Sequence, residues 1–146
     1  MAKSLLDTDI FSEILKGVDA MVAQRATDYR AMYGYYTMTS ITVMEMIKGL
    51  HKVHREERIQ QLLQSPTRVE VLPLTAQDAV LAGRIFADLE RTGQPIGRAD
   101  PMIEGIALQQ GLTLVTGNTA HYQRVQDVGY PRVLENWRFP QGQQVP

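Results

Sequence analysis

The chain has 146 residues, 44% of them hydrophobic and 21% charged, with a formal net charge of −1. That composition suits one soluble domain, large enough to bury roughly 70% of its unfolded surface without staples. The absence of cysteine excludes disulfides and thiolate metal sites, and the near-neutral charge weighs against a nonspecific nucleic-acid coat protein, although it averages over an acidic site and any basic rim around it.

The segment from Met1 to Asp9 holds two carboxylates and no long apolar stretch. It reads as no signal peptide, and no run approaches the ~18–20 apolar residues of a membrane span. The expectation is a cytoplasmic protein with no membrane partner. Leu5 and Leu6 then form a short buried strand ending at Asp7, followed by helices from about Ile10 to Lys16 and from about Asp19 to Met32. Tyr36 to Thr39 reads as a second strand, with helices at Ile41 to Val53 and Arg55 to Gln64. Val69 to Leu72 is a β-branched strand closed by Pro73. Thr75 opens the strongest helix, with Ala79, Ala82, Phe86 and Leu89 at core-facing spacing; Gly93 and Pro95 end it. Pro101 to Gln110 is a further helix stopped by Gly111, and Leu112 to Thr116 is a buried strand. Such alternation predicts an α/β fold, one domain over 1–140 with a central, mostly parallel sheet flanked by helices. Residues 141–146 read as a flexible tail.

In a parallel sheet the ligand site lies outside the carboxyl ends of the strands. Asp7 and Asp9 follow the first strand, Glu45 lies one turn into the helix after the second, and Asp100 opens a helix. The strand ending at Thr116 leads into Gly117, Asn118 and His121. Each acid also has a plain structural explanation. Asp9 could cap the helix beginning at Ile10, Thr42 and Glu45 could form a capping box, and Asp100 could be an N-cap followed by proline. Asp7 resists such an explanation, because a lone carboxylate after a buried strand carries only a desolvation cost. Several acids meeting at one edge are tolerable only with protonation or a bound divalent cation. Oxygen ligands without a His or Cys cluster point to Mg²⁺ or Mn²⁺.

The run Leu5-Leu-Asp7-Thr-Asp9 resembles the opening motif of PIN domains, and Thr39-Ser-Ile-Thr-Val-Met-Glu45 resembles their second. The stretch from Gly93 to Ile103 around Asp100 is similar to the one that carries the third acid, and Leu114-Val-Thr-Gly-Asn118-Thr-Ala-His121-Tyr to the fourth motif. The four together, in order from Asp7 to about Trp137, resemble the PIN-domain ribonucleases and in particular the VapC-type toxins of bacterial VapBC toxin–antitoxin pairs. The resemblance implies a metal-dependent endoribonuclease in which Asp7, Glu45 and Asp100 are catalytic and hold Mg²⁺ or Mn²⁺, with Asp9, Thr116 and Asn118 supporting. It also implies a homodimer, an RNA substrate such as tRNA, and a VapB-type antitoxin that blocks the acidic pocket. Two positions depart from the pattern. Asn118 and His121 stand where a fourth carboxylate is common, which weakens a second metal site; Asn118 could still ligate through its amide oxygen. Glu104 stands where the family has a small residue, one helical turn from Asp100, and reads as a solvated surface glutamate rather than an auxiliary acid.

Hydrolysis of an RNA phosphodiester would use a metal-activated water, with Glu45 as ligand or general base. Candidate RNA contacts are Arg98, His121, Lys48 and Lys52. The basic stretch from Lys48 to Arg58 reads first as a solvent-facing helix balanced by Glu56 and Glu57. Tyr29, Met32, Tyr33, Tyr35 and Tyr36 read as core packing before a partner surface, and Trp137 as an anchor of the C-terminal segment. A phosphatase of the haloacid dehalogenase type, suggested by Asp7-Thr-Asp9, fails because no lysine follows Lys52. The remaining alternative is a PIN-fold module that binds RNA or antitoxin without cutting.

Overall fold

A computed structural model describes residues 1–64, 68–131 and 133–140. The expected tail, 141–146, lies outside the described residues. In chain order the elements are β1 (Ser4–Leu6), α1 (Thr8–Lys16), α2 (Ala20–Tyr33), β2 (Tyr36–Thr39), α3 (Ser40–Lys52) and α4 (Glu56–Leu63). They continue with β3 (Val69–Leu72), α5 (Ala76–Arg91), α6 (Ala99–Gln109), β4 (Thr113–Val115), α7 (Thr119–Asp127) and β5 (Leu134–Glu135). The expected α/β architecture is therefore present.

Every described strand pairing is parallel. Hydrogen bonds join β1-β4-β5 in one ladder and β2-β3 in another, and β2 lies alongside β1. Parallel strands buried on both faces are near-continuous apolar runs, and Leu5, Leu6, Leu114 and Val115 are all fully buried. One core cluster gathers Leu6, Phe11, Val22, Tyr29, Tyr36, Met38 and Trp137. The other gathers Leu5, Ile85, Leu89, Ile103, Leu114 and Tyr122. Two core clusters, one on α1 and α2, the other on α5, α6 and α7, are the helical layers expected about such a sheet.

Several local expectations are corrected. Helix α1 begins at Thr8, with Asp7 as its N-cap accepting from the Thr8 N–H; Asp9 sits inside the first turn. The N-cap of α3 is Thr39, whose hydroxyl accepts from the Thr42 N–H, so no Thr42–Glu45 capping box forms. Arg98 occupies the N-cap place of α6 and Asp100 falls in its first turn. On α5 the buried face is Asp78, Ala82, Ile85 and Leu89, while Ala79 is exposed. Asp78 turns inward because it completes a capping box with Thr75, at bond lengths of 2.9 and 3.2 Å; this rotates the helix away from the face read from Ala79. Glu104 is corrected most sharply: it is 0% exposed. Next to it Gly105 lets α6 approach α5 closely, since an added Cβ would stand 2.7 Å from the Asp78 carbonyl oxygen.

Helix α7 and strand β5 were not anticipated. Two residues make too short a run for periodicity to detect, and α7 buries only Tyr122 and Val125 among polar neighbours. Among the described residues, no helix is long and apolar enough to cross a membrane.

Candidate active site

Within each ladder the described strands are parallel, so the chain leaves β1, β4 and β5 at one edge, at Asp7, Thr116 and Asn136, and the Thr8–Glu45 hydrogen bond brings the start of α3, after β2, to the same place. The β1–β4 register pairs Leu6 with Val115, which places Asp7 opposite Thr116 one step on. The Asp7 N–H donates to the Val115 carbonyl at 2.9 Å, and the Thr116 hydroxyl donates to Asp7 Oδ2 at 2.9 Å. The other Asp7 oxygen accepts from the Thr8 N–H at 2.9 Å. Thr116 is itself buried and fixed, its Oγ1 accepting from the Asn118 N–H at 3.0 Å.

Asp7 is only 8% exposed. Burial, reinforced by the charge of Asp9 and more weakly by Asp100, pushes its carboxyl up from 3.8 to about 7, against the opposing hydrogen bonds from Thr8 and Thr116. Asp100 is raised as well, first by burial, with Asp9 adding to it; hydrogen bonding from Tyr122 and the proximity of His121 pull the other way. These three aspartates therefore sense one another's charge, although they lie far apart in sequence.

Asp100 is held from α7. The Tyr122 hydroxyl donates to Oδ1 at 3.0 Å, and His121 Nδ1 stands 3.0 Å from Oδ2. His121 Nδ1 is also 2.9 Å from the Asn118 amide. One ring nitrogen cannot donate to a carboxylate and accept from an amide N–H together, so only one of these two contacts is a hydrogen bond in a given tautomer. It is the Asn118 amide nitrogen that faces the ring. Glu45, one turn into α3, accepts from the Thr8 hydroxyl at 2.9 Å, which ties it to the residue next to Asp7. Asp9 Oδ2 accepts from the Gly117 N–H at 2.8 Å.

The structure thus gathers Asp7, Asp9, Asp100, Thr116, Asn118 and His121 through a connected set of contacts, and Glu45 through Thr8. It does not bring Lys48, Lys52 or Arg98 into any ion pair with them; all three are exposed. His51 pairs with Glu56 at 2.9 Å on the solvent side, as the balanced-helix reading of this stretch expects. An apolar groove lined by Phe86, Leu89, Ile96, Arg98 and Pro101 borders the start of α6, yet none of Asp7, Asp9, Glu45 or Asp100 lines it. Two residues of this edge were missed from the sequence. Tyr122 closes the fourth motif but was given no role, and Arg138 lies beyond that motif. The carboxyl end of β5 was the signal for Arg138, but β5 itself was not visible.

The donor chemistry suits a hard divalent cation. Burial keeps Asp7 from ionising readily, and mutual repulsion among the aspartates is relieved by positive charge placed between them. Among the described residues, no three His, Asp or Glu side chains already stand at ligating spacing. An open donor set fits Mg²⁺, which keeps several waters and takes one or two carboxylates from the protein.

The profile of the PIN domain matches residues 4–127. The chain belongs to the PIN-domain family. A tRNA(fMet)-specific endonuclease VapC of Shigella flexneri is 36% identical over 126 residues, covering 86% of this chain and 93% of the relative. The enzyme of the same description from Salmonella typhimurium strain LT2 is 32% identical over 138 residues, 94% of this chain and 99% of that one. Among solved structures, DNA-bound VapBC from Salmonella typhimurium aligns with a TM-score of 0.77 at 33% identity, over 94% of this PIN-domain chain and 99% of that one. VapBC-1 from nontypeable Haemophilus influenzae aligns with a TM-score of 0.71 at 26% identity, over 92% and 97%. The expected family and its fold are borne out.

Proposed function

We propose that this PIN-domain protein is an endoribonuclease, the toxin of a VapBC-type toxin–antitoxin pair, and that it hydrolyses RNA phosphodiester bonds with Mg²⁺ or Mn²⁺. The observation that carries the reading is Asp7: a buried carboxylate, held by two hydrogen bonds in one orientation and crowded by two further aspartates, in a chain whose sequence relatives are named as endonucleases and whose fold matches that of a VapBC structure.

In this reading Asp7, Asp100 and Glu45 would hold the cation, with Asn118 a weaker candidate because its amide is neutral and engaged with His121. A divalent cation there supplies charge against the phosphate oxygens and acidifies a water. The protein's own residues do the rest. The Thr116 hydroxyl and Thr8 N–H fix the Asp7 carboxylate, the Tyr122 hydroxyl fixes Asp100, and the Thr8 hydroxyl keeps Glu45 within reach of the site. Glu45, partly solvated, accepts the proton of the attacking water. Asp9 secures the Gly117 turn that carries Asn118 and His121 into place. The substrate is RNA, with tRNA favoured by the names of the two relatives above. The partner is a VapB-type antitoxin, the assembly a homodimer, and the compartment the cytoplasm. Residues 1–140 form the nuclease domain.

The test is cleavage of a tRNA and ribosomal RNA panel by purified protein with Mg²⁺, with Mn²⁺ and with EDTA, beside Asp7→Asn. Cutting that needs metal and vanishes in Asp7→Asn is expected. No cutting by folded, antitoxin-free protein would replace the enzyme with a module that binds RNA or antitoxin only.

A further inference from the structure

A polyanion cannot approach a cluster of aspartates unaided; some cation of the protein must meet its backbone. The side chain placed for this is Arg138, which follows β5 at the same strand edge as Asp7 and Thr116. Its Nη1 stands 3.6 Å from Asp9 Oδ2 and its Nη2 3.5 Å from Glu13 Oε1. Its guanidinium lies over Gly117, where an added Cβ would stand 1.8 Å from Nη1 and 2.5 Å from Asp9 Oδ2. The guanidinium thus fills the space that a side chain at 117 would need, beside the turn that leads to Asn118 and His121.

The segment that presents Arg138 is fixed. Trp137 is 1% exposed and its ring packs on Tyr29 at 5.5 Å between centroids. Arg25 ties both sides of the segment together, donating to Glu135 Oε1 at 2.7 Å and to the Phe139 carbonyl at 2.9 Å. The Arg138 N–H donates to Asn136 Oδ1 at 3.0 Å. Against this rigid mount the guanidinium itself is loosely held. Charge-assisted N–H···O bonds run at about 2.7–2.9 Å, the length Arg25 achieves, whereas both carboxylate contacts of Arg138 are at 3.5 Å or beyond. Its side chain keeps 31% of its surface open, and a guanidinium offers five N–H donors. Arg25 is a committed structural cation; Arg138 retains donor capacity facing the site.

We propose that Arg138 is a substrate-contacting residue of this site, whose guanidinium, mounted over Gly117, takes an RNA backbone phosphate beside the aspartates. Asp9 and Glu13 hold it in readiness in the absence of RNA, and the phosphate replaces their long contacts with short bidentate ones. The assignment rests on the nuclease reading above.

Binding is measured by fluorescence anisotropy of a fluorescein-labelled initiator tRNA transcript, in EDTA so that nothing is cut, across a salt series. Arg138→Gln is expected to bind about three- to tenfold more weakly than the unmodified chain, with the slope of log affinity against log salt smaller by about one. Arg138→Lys restores the slope and only part of the affinity, since it keeps the charge and loses the fork. Glu13→Gln tightens binding, and tightens it less when Arg138 is already Gln. Emission from Trp137, the chain's one tryptophan, stays unchanged in each variant, which reports that the segment remains docked. Tight, salt-dependent binding that Arg138→Gln leaves intact overturns the assignment alone. So does weakening by Glu13→Gln equal to that of Arg138→Gln, which marks a purely structural ion pair. No RNA binding by the unmodified chain overturns the assignment, while the nuclease reading is decided separately by the Mg²⁺ and Mn²⁺ cleavage panel.

Discussion

Replacing Asp7 by Asn should stabilise the metal-free protein at neutral pH while abolishing cleavage. Burial and neighbouring charge raise the folded-state pKa of Asp7 from 3.8 to about 7. Between those values the folded state retains a proton that the unfolded chain has released, so stability falls as pH rises through this window. A shift of this size corresponds to about 4 kcal/mol lost by pH 7 relative to pH 3. Asparagine removes that penalty but keeps one acceptor oxygen where Asp7 uses two, for Thr8 and Thr116, at a cost of about 1 kcal/mol. The net gain at pH 7 is about 3 kcal/mol, or about 6–12 °C in Tm for a chain of this size. Near pH 4 the penalty has nearly vanished and the variant should be slightly less stable than the parent, so the two Tm curves cross. Thermal unfolding by circular dichroism in EDTA across this pH range reads the crossing. A variant destabilised equally at pH 4 and pH 7 would refute the view that an ionised Asp7 is held against a penalty.

Tyr122→Phe removes the hydroxyl that donates to Asp100 Oδ1 and should lower Mn²⁺ affinity, read by calorimetry, by about tenfold or more, with Tm little changed. Gly117→Ala places a methyl where the Arg138 guanidinium lies and should reproduce the tRNA-binding loss of Arg138→Gln in the anisotropy assay. Trp137→Ala empties a fully buried site against Tyr29 and should cost about 3–5 kcal/mol in urea unfolding. It should also free Arg138, so that RNA binding weakens even where the variant is fully folded.

What the sequence disclosed about this molecule depended on the range of the interaction. Tyr36–Thr39 and Val69–Leu72 were legible from their β-branched and aromatic residues, the second closed by Pro73, and the structure keeps both ranges unchanged. Asp7 was legible as an acid closing a buried strand, although the structure also gives it a local role as the N-cap of α1. Local capping logic did worse, since several residues compete for each cap: Asp7 rather than Asp9 starts α1, and Thr39 rather than Thr42 starts α3. The burial of Glu104 was hidden because its spacing from Asp100 is equally compatible with an outward face; only the close α5–α6 packing decides it. Tyr122 and Arg138 depend on where α7 and β5 return to the strand edge, and no spacing within their own segments records that.

The contributors to the acidic edge are scattered from Asp7 to Arg138, and the last of them is mounted by Trp137 against a tyrosine of the second helix. A chain made only as far as α3 carries Asp7, Asp9 and Glu45, yet it lacks β4, the ladder partner of β1, as well as Asp100, Tyr122 and the Trp137 mount. For a protein that cuts RNA, this ordering postpones the hazard: the acidic edge is incomplete until α7 and the Trp137 segment have been made.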